Sequence, residues 1–418
     1  MSAYFTPGKR NFALVRHASV GDTILIKPWN SLIECEKLCC KSGRVLKNGV
    51  ESVRLLIEKH REKQKPLHLA FLDLEKAFDR VPREVIWYAL RRHAVPEELI
   101  EWVRILYADT KSQVNVAAGT SAEFPITDGV NQGSALSPLL FIVVMDAITR
   151  DLQKPVPWTL LFADNIVLAS EDRHELELQT QAWSDRLAQF GLRLNVKKSE
   201  YLTTHMNKNG TIKVNGIDLE RTETFKYLGS TVTFDGSLSR EVLARVNSAW
   251  MKWRSVTGVL CDKNIPERFK SKVYRTVVRD VALYGAECWA VTKEVERRLG
   301  GMEVKMLRWM AGITQLDRIC NQDIRQRFGG APITDKLREA RLRWYGHVLR
   351  AESGSVCKIG FNLDVTGKRP KGRPKQRWMD TLHVDLKTVG MHPDQAHNRT
   401  KWRQGISKAY PSTKRDKR

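Results

Sequence analysis

Two aspartates sit where apolar runs break off. Asp73 follows "HLAFL", and Asp164 stands with Asn165 in the middle of "LLFADNIVLAS", residues 160–170. A carboxylate without a partner in apolar surroundings is costly, and a bound cation is one remedy. Carboxylates that reach one point from separate strands can hold two Mg²⁺ ions. Phosphoryl transfer uses that arrangement to activate an attacking hydroxyl and steady the leaving oxygens. Mg²⁺ takes one or two carboxylates and completes its shell with substrate phosphates and water. The competing reading of Asp164 and Asn165 is local. Both residue types tolerate positive φ, and the pair suits a two-residue hairpin loop.

The elements around these residues are legible as patterns. "GVESVRLLIEKHREKQ" is an amphipathic helix and "PLHLAFLDL" a buried strand. "PREVIWYALRRHAV" reads as a helix opened by Pro82, and "PEELIEWVRILYAD" as a second. Asp79 reads as a helix cap before "PREVIW" rather than a ligand. "SQVNVAAG" and "AEFPITDGV" look like short strands. "SPLLFIVVMDAITRDL" has Ser137 as N-cap and Pro138 at the first helical position, and is apolar nearly all round, so it is expected to be buried. "HELELQTQAWSDRLAQFG" is a helix ended by Gly191. The sum is an α+β unit with an antiparallel hairpin in its sheet. After about Ser237 long helices rich in Trp and Arg take over. Leu243, Val246, Trp250 and Trp253 fall on one helical face, a packed core by first reading and a base-stacking surface by the alternative.

A net charge of +23 over 418 residues points to a polyanionic partner, most simply nucleic acid. The longest purely apolar run, Leu139–Met145, falls far below the ~18 residues of a membrane span. The first twenty residues do not read as a secretory signal. Seven cysteines, irregularly spaced, fit a reduced, intracellular chain. Cys35, Cys39 and Cys40 lack a nearby His pair, which argues against zinc. The expected location is the cytoplasm, the nucleus or both.

In order along the chain, "AFLDLEKAFDRVP", "GVNQGSALSPLLFIVVMD", "LLFADNIVLAS", "GLRLNVKKSEYL" and "FKYLGS" resemble the motif series of reverse transcriptases from non-LTR (LINE-type) retrotransposons. "MLRWMAGIT", "RLRWYGHVLR" and "GKRPKGRPKQRW" are similar to the tail of the RTE-like group. The resemblance covers about 49–418. It implies a right-hand polymerase: palm with antiparallel sheet and partial fingers over 49–236, helical thumb over 237–350, and a basic nucleic-acid-binding tail over 351–418. Residues 1–48 stay unassigned and are expected to be poorly ordered. Asp73 and Asp164 match the carboxylates that bridge two Mg²⁺ ions. Phe78 matches the bulky residue that excludes the ribose 2′-hydroxyl, with a core Phe as the plain alternative. Gln132 and Gly133 match the loop against the incoming nucleotide and template. Lys198, or its neighbour Lys197, matches the basic residue near the leaving pyrophosphate. Tyr227, Leu228 and Gly229 match the hairpin that grips the primer end. The implied partners are an RNA template, a DNA primer and deoxynucleoside triphosphates.

Two departures stand out. The family's turn carries two consecutive aspartates, and here the second is Asn165, which also belongs to the catalytic set by position. Asn131 stands where the group usually has His. Upstream of 49 the fingers motifs and the endonuclease pattern are not found, so the chain reads as a 5′-truncated copy. These departures set an RNA-directed DNA polymerase of impaired activity against a catalytically inactive polymerase fold that still binds nucleic acid. In the tail, Lys368, Arg369, Lys371, Arg373, Lys375 and Arg377 suggest nucleic-acid contact. They resemble a minor-groove AT-hook, and a solvated basic linker is the alternative. Residues 351–418 hold sixteen Lys/Arg against six Asp/Glu.

Overall fold

The computed structural model describes residues 42–116, 119–134, 136–205, 210–372 and 375–407. The expectation for residues 1–48 falls almost wholly outside this range. The chain divides into two compact units: Lys76–Arg150 belongs to one, and Gly43–Glu75 with Asp151 onward forms the other.

The elements of the larger unit are α1 (Ser42–Glu62), β1 (His68–Leu72), β2 (Thr159–Phe162), β3 (Asn165–Ser170), α2 (Arg173–Gln189), β4 (Glu200–Thr203) and β5 (Glu220–Arg221). After them come the hairpin strands β6 (Thr224–Tyr227) and β7 (Ser230–Thr233). The helices α3 (Ser239–Ser255), α4 (Lys293–Ala311), α5 (Ile333–Arg350), α6 (Trp378–Val389) and α7 (Arg399–Ser407) complete it.

Five strands form one sheet in the order β5-β4-β1-β3-β2, with β1 antiparallel to both neighbours. The continuous apolar run of β1 follows from this position, because all five of its residues are buried. Leu69 and Phe71 face the core that α1 supplies with Val50, Val53, Leu56 and Ile57. The helix α2 packs on β1 and β3 and buries Leu176, Trp183 and Leu187. Asp172 caps α2 by accepting the Glu175 N–H at 2.8 Å.

The helices after Ser237 share a second core. Trp253, Trp289, Trp344, Trp378 and Trp402 are all buried in it. The packed-core reading of the α3 face holds for Trp253, with Val246 and Trp250 packed against it. Leu243 differs, being 53% exposed, because it lies just off that stripe. Residues after 351 do not form a separate tail. Helices Val356–Asn362, α6 and α7 fold into the same core, with Trp402 Nε1 donating to Leu342 O at 2.9 Å. Buried tryptophans outweigh the basic, Pro/Gly-rich composition that suggested a boundary.

In the other unit, helices Arg83–Arg92, Glu97–Tyr107 and Ser137–Thr149 carry the short pairs Lys111–Ser112 with Phe124–Pro125 and Asn115–Val116 with Gly119–Thr120. Ser137 is not the N-cap of its helix. It is the first helical residue, and its hydroxyl donates back to Asn131 O at 2.6 Å. Nor does Asp79 cap the helix that follows it. Pro82 takes the N-cap position, with no side-chain cap. Among the described residues no helix is long and apolar enough to cross a membrane.

Candidate functional site

The last residue pair between β1 and β3 is Leu72 with Ile166. Asp73 is the next residue on one strand, and the β2–β3 turn is the next step on the other. Phe162 pairs with Asn165 and closes that turn, so its loop is Ala163–Asp164. The loop is thus one residue earlier than the Asp164–Asn165 pair suggested. The positive φ falls on Ala163, at 50°. An alanine there carries strain of roughly 1–2 kcal/mol. Asn165 opens β3, and its amide donates to Asp164 Oδ1 at 3.3 Å.

A third segment fixes Asp73 from the other side. Leu74 bridges to Leu194, and Asn195 N donates to Asp73 O at 2.8 Å. Asp73 N donates to the buried Ser199 Oγ at 3.2 Å. Within that loop Lys198 N donates to Asn195 O at 3.0 Å, which leaves the lysine side chain exposed beside the strand end. The charges of Lys198 and Asp164 both act on Asp73. Partial burial pushes the Asp73 carboxyl above the usual aspartate range, the Lys198 ammonium pulls it back, and the Asp164 carboxylate raises it again.

Two carboxylates that repel each other at a strand end, with few other donors, are a fit for a hard divalent cation that shares its shell with a substrate. Asp73 and Asp164 are the residues that could hold it. Asn165 can offer only a neutral oxygen. Among the described residues no group of three or more His, Cys, Asp or Glu side chains is gathered as a metal site.

The β6–β7 hairpin lies over the same sheet. Phe225 stacks on Phe71 at 3.9 Å between ring centroids, and Tyr227 lies 6.0 Å from it. Burial pushes the Tyr227 phenol well above its usual range. Its turn is Leu228–Gly229, both at positive φ, 47° and 79°. Sequence reasoning missed what holds this turn. The buried Glu241 carboxylate accepts from Ser230 Oγ at 2.8 Å and from Thr231 N. Arg245 Nε donates to Glu241 at 3.0 Å, and its other nitrogen reaches Gly229 O. Tyr284 donates to Leu228 O at 2.8 Å while Arg245 lies over its ring. The available signal was Glu241 and Arg245 one helical turn apart, directly after a hairpin.

In the smaller unit Phe78 stacks on the buried Phe141, with centroids 4.8 Å apart. Gln132 and Gly133 are exposed, and Gln132 Nε2 donates to Asp79 Oδ1 at 2.9 Å. Val130 N donates to Phe78 O, and Gly129 N to Val81 O, each at 2.8 Å. The loop therefore pairs directly with the segment that carries Phe78.

The six basic residues predicted near the C-terminus divide. Arg373 lies outside the described residues. Arg377 spends its guanidinium internally, on Glu62 at 2.9 Å and Asp380 at 2.7 Å. Arg369 and Lys375 make long pairs with Glu62 at 3.7 Å and Asp235 at 3.4 Å. Lys368 and Lys371 are exposed.

Residues 24–232 match the family model described as reverse transcriptase (RNA-dependent DNA polymerase). The match begins upstream of residue 49. The chain is 31% identical over 230 residues to a retrovirus-related Pol polyprotein from a type-1 R2 retrotransposable element of Nasonia vitripennis, covering 49% of this chain and 22% of that protein. It is 26% identical over 310 residues to the Pol polyprotein of the type-2 element R2DM of Drosophila melanogaster, covering 64% and 29%. The chain thus spans less than a third of either relative. Among solved structures, an apo telomerase from Candida tropicalis aligns with a TM-score of 0.40 at 12% identity, over 76% of this chain and 54% of that one.

Proposed function

The chain belongs to the reverse transcriptase (RNA-dependent DNA polymerase) family, its curated relatives being polymerases of non-LTR retrotransposons, and on that premise we propose that it is an RNA-directed DNA polymerase acting on a DNA primer paired to an RNA template. The observation that carries the reading is that β1 ends at Asp73 beside the β2–β3 turn that holds Asp164, with the Asn195–Lys198 loop hydrogen-bonded to Asp73. Asp73 and Asp164 would hold Mg²⁺ together with the triphosphate of a deoxynucleotide. When bound, the metal supplies charge neutralisation and activation of the primer hydroxyl.

The chain's own residues do the rest. Lys198 holds positive charge beside the departing pyrophosphate. Phe78 excludes a 2′-hydroxyl, and Gln132 and Gly133 lie against the incoming nucleotide. Tyr227, Leu228 and Gly229 seat the primer end, and their hairpin is braced by Glu241 and Arg245. The five-stranded sheet corresponds to the palm, residues 76–150 include part of the fingers, and the helices from Ser239 correspond to the thumb. The RTE-like affinity read from the C-terminal motifs belongs to this proposal too.

Asn165 favours a second reading, a catalytically inactive polymerase fold that still binds nucleic acid. Its amide donates to Asp164 where a second carboxylate would add charge. Primer extension on an RNA template with Mg²⁺ decides between them. Extension by the native chain, abolished by Asp73→Asn, supports the polymerase. A silent native chain revived by Asn165→Asp supports the inactive fold. Silence in both the native chain and Asn165→Asp removes the catalytic reading.

A further inference from the structure

At the end of β1 opposite Asp73, roughly 17 Å of strand away, the surface is strongly basic for a different reason. The loop that follows Val365 is pinned to the C-terminal end of α1. Lys63 Nζ donates to Gly367 O at 2.9 Å, and Arg369 and Arg377 both reach Glu62. Gly367 has φ of +133° and its position faces the Lys63 backbone, so the loop hugs the helix end closely. On the other wall Arg61 Nη1 donates to Asp235 O at 2.7 Å, just after the β6–β7 hairpin.

Between these walls lies a cleft of about 580 Å³ whose lining includes Arg61, Lys65, Arg369, Lys375 and the half-buried Phe234, which also packs against the core. Its carboxylates, Glu62 and Asp235, are outnumbered by cations. His205 lines this cleft and also a neighbouring one of about 590 Å³ that adds Arg173, His174 and His68 together with the carboxylates Glu171 and Asp172. The two clefts share His205 and form a trough along the sheet end, its excess of cations on the Arg369 side and Phe234 in one wall there.

We propose that this trough is a second nucleic-acid site that takes a single strand, distinct from the catalytic end of β1. A cationic groove that tracks a backbone, with an aromatic face for a base, is the chemistry that binds single strands without reading sequence. A small anion would need one tight cluster of donors, whereas these charges are strung along the sheet end. The basic residues Arg369, Lys375 and Arg377 then act as a wall fixed by ion pairs rather than as a free arm. Binding here requires no catalysis, so the inference stands or falls separately from the polymerase reading.

The test is fluorescence anisotropy of the full chain with a labelled twelve-nucleotide oligo(dT), titrated across a range of salt. The pair K65E/K375E is expected to weaken binding about tenfold and to lower the slope of log affinity on log salt by about 1.4, since each lost phosphate contact on a single strand is worth ~0.7. A second variant, K375E alone, changes an exposed lining residue and is expected to lower the slope by about 0.7 if the first variant folds poorly. The pair K387E/K401E changes net charge equally on α6 and α7, away from the trough, and is expected to leave most of the affinity. Equal losses from the trough and control pairs, or an undiminished slope in both trough variants, would overturn the proposal. A hairpin duplex that binds as tightly as oligo(dT), and loses as much affinity, would overturn its single-strand assignment.

Discussion

The Glu241 carboxylate, fully buried, accepts the Ser230 hydroxyl at 2.8 Å and thereby ties the first long helix after the sheet to the hairpin that carries Tyr227. Arg245 neutralises that carboxylate from one turn along at 3.0 Å. Removing one member of a buried charged network strands the others, at a typical loss of 3–5 kcal/mol. Glu241→Ala is therefore expected to destabilise the larger unit by about 3 kcal/mol. Glu241→Gln, which keeps an acceptor for Ser230 or Thr231, is expected to lose less. Urea denaturation followed by tryptophan fluorescence measures both, and equal stability of all three proteins would refute the bracing role.

The charges at the end of β1 make a prediction about pH. The Asp73 carboxyl titrates above the usual aspartate range, so in the absence of metal the folded chain holds its proton to higher pH than the unfolded chain does. Stability from this group is present at acid pH and falls as pH rises through that raised value. Asp73→Asn is thus expected to raise the metal-free melting temperature at neutral pH. Lys198→Ala removes the influence that lowers the Asp73 carboxyl, and is expected to move the acid limb of any pH–activity profile to higher pH. An unmoved limb would show that the two side chains do not sense each other.

Divalent-ion binding can be read without activity. Millimolar Mg²⁺ added with a deoxynucleoside triphosphate is expected to raise the melting temperature of the native chain, because a ligand bound only to the folded state stabilises it. The same addition to Asp73→Asn is expected to give a smaller shift. Asn165→Asp is expected to enlarge it, since a third carboxylate strengthens the site. Identical shifts in all three would place the ion elsewhere.

Gly129 occupies a conformation that few other residues tolerate, at φ +82°, with the carbonyl oxygens of Phe78 and Asp79 only 2.8 Å from where a Cβ would stand. Backbone cannot move aside as a side chain can. Gly129→Ala is expected to cost about 1–3 kcal/mol and to loosen the hydrogen bonds that pair this loop with the Phe78 segment. Thermal unfolding of the variant reports the loss. A melting temperature equal to that of the native chain would show that the loop shifts freely.

Trp402 tests whether the C-terminal residues belong to the helical core. A Cβ added to Gly346 would lie 2.3 Å from Trp402 Nε1, so α5 and α7 meet there with no spare room. Trp402→Ala is expected to cost about 3–5 kcal/mol, and Gly346→Ala should also destabilise by displacing the ring. Limited proteolysis measures it: cleavage after Val389 is expected to become fast in either variant while the native chain resists.

The parts of the fold that local pattern could reveal are those whose burial is local. β1 reads as buried because four apolar residues, Leu69–Leu72, run together, and the Ser137–Thr149 helix reads as buried because it is apolar on nearly every side. Asp73 and Asp164 stood out where apolar runs break off, whereas Lys198 was singled out only by the resemblance of its motif. What stayed hidden depends on contacts between distant residues. Ser137 caps nothing because Asn131 claims its hydroxyl, and Asp79 is engaged by Gln132, 53 residues away. The hairpin loop shifted by one residue because closure by Phe162 and Asn165 outweighs alanine's aversion to positive φ. Trp378 and Trp402 draw a basic, turn-rich segment into the core, which composition alone reads as a linker.

One consequence follows from the way β1 is held. It is hydrogen-bonded along both edges and covered on both faces, so the frame beneath Asp73 owes nothing to the chemistry performed at its tip. Exchanging an acid for an amide of the same shape at position 165 removes charge without opening a void or exposing a strand edge. Cellular quality control senses exposed apolar surface and has nothing to detect in such a change. A chain silenced in this way would persist as a well-folded competitor for the nucleic acids that active relatives copy.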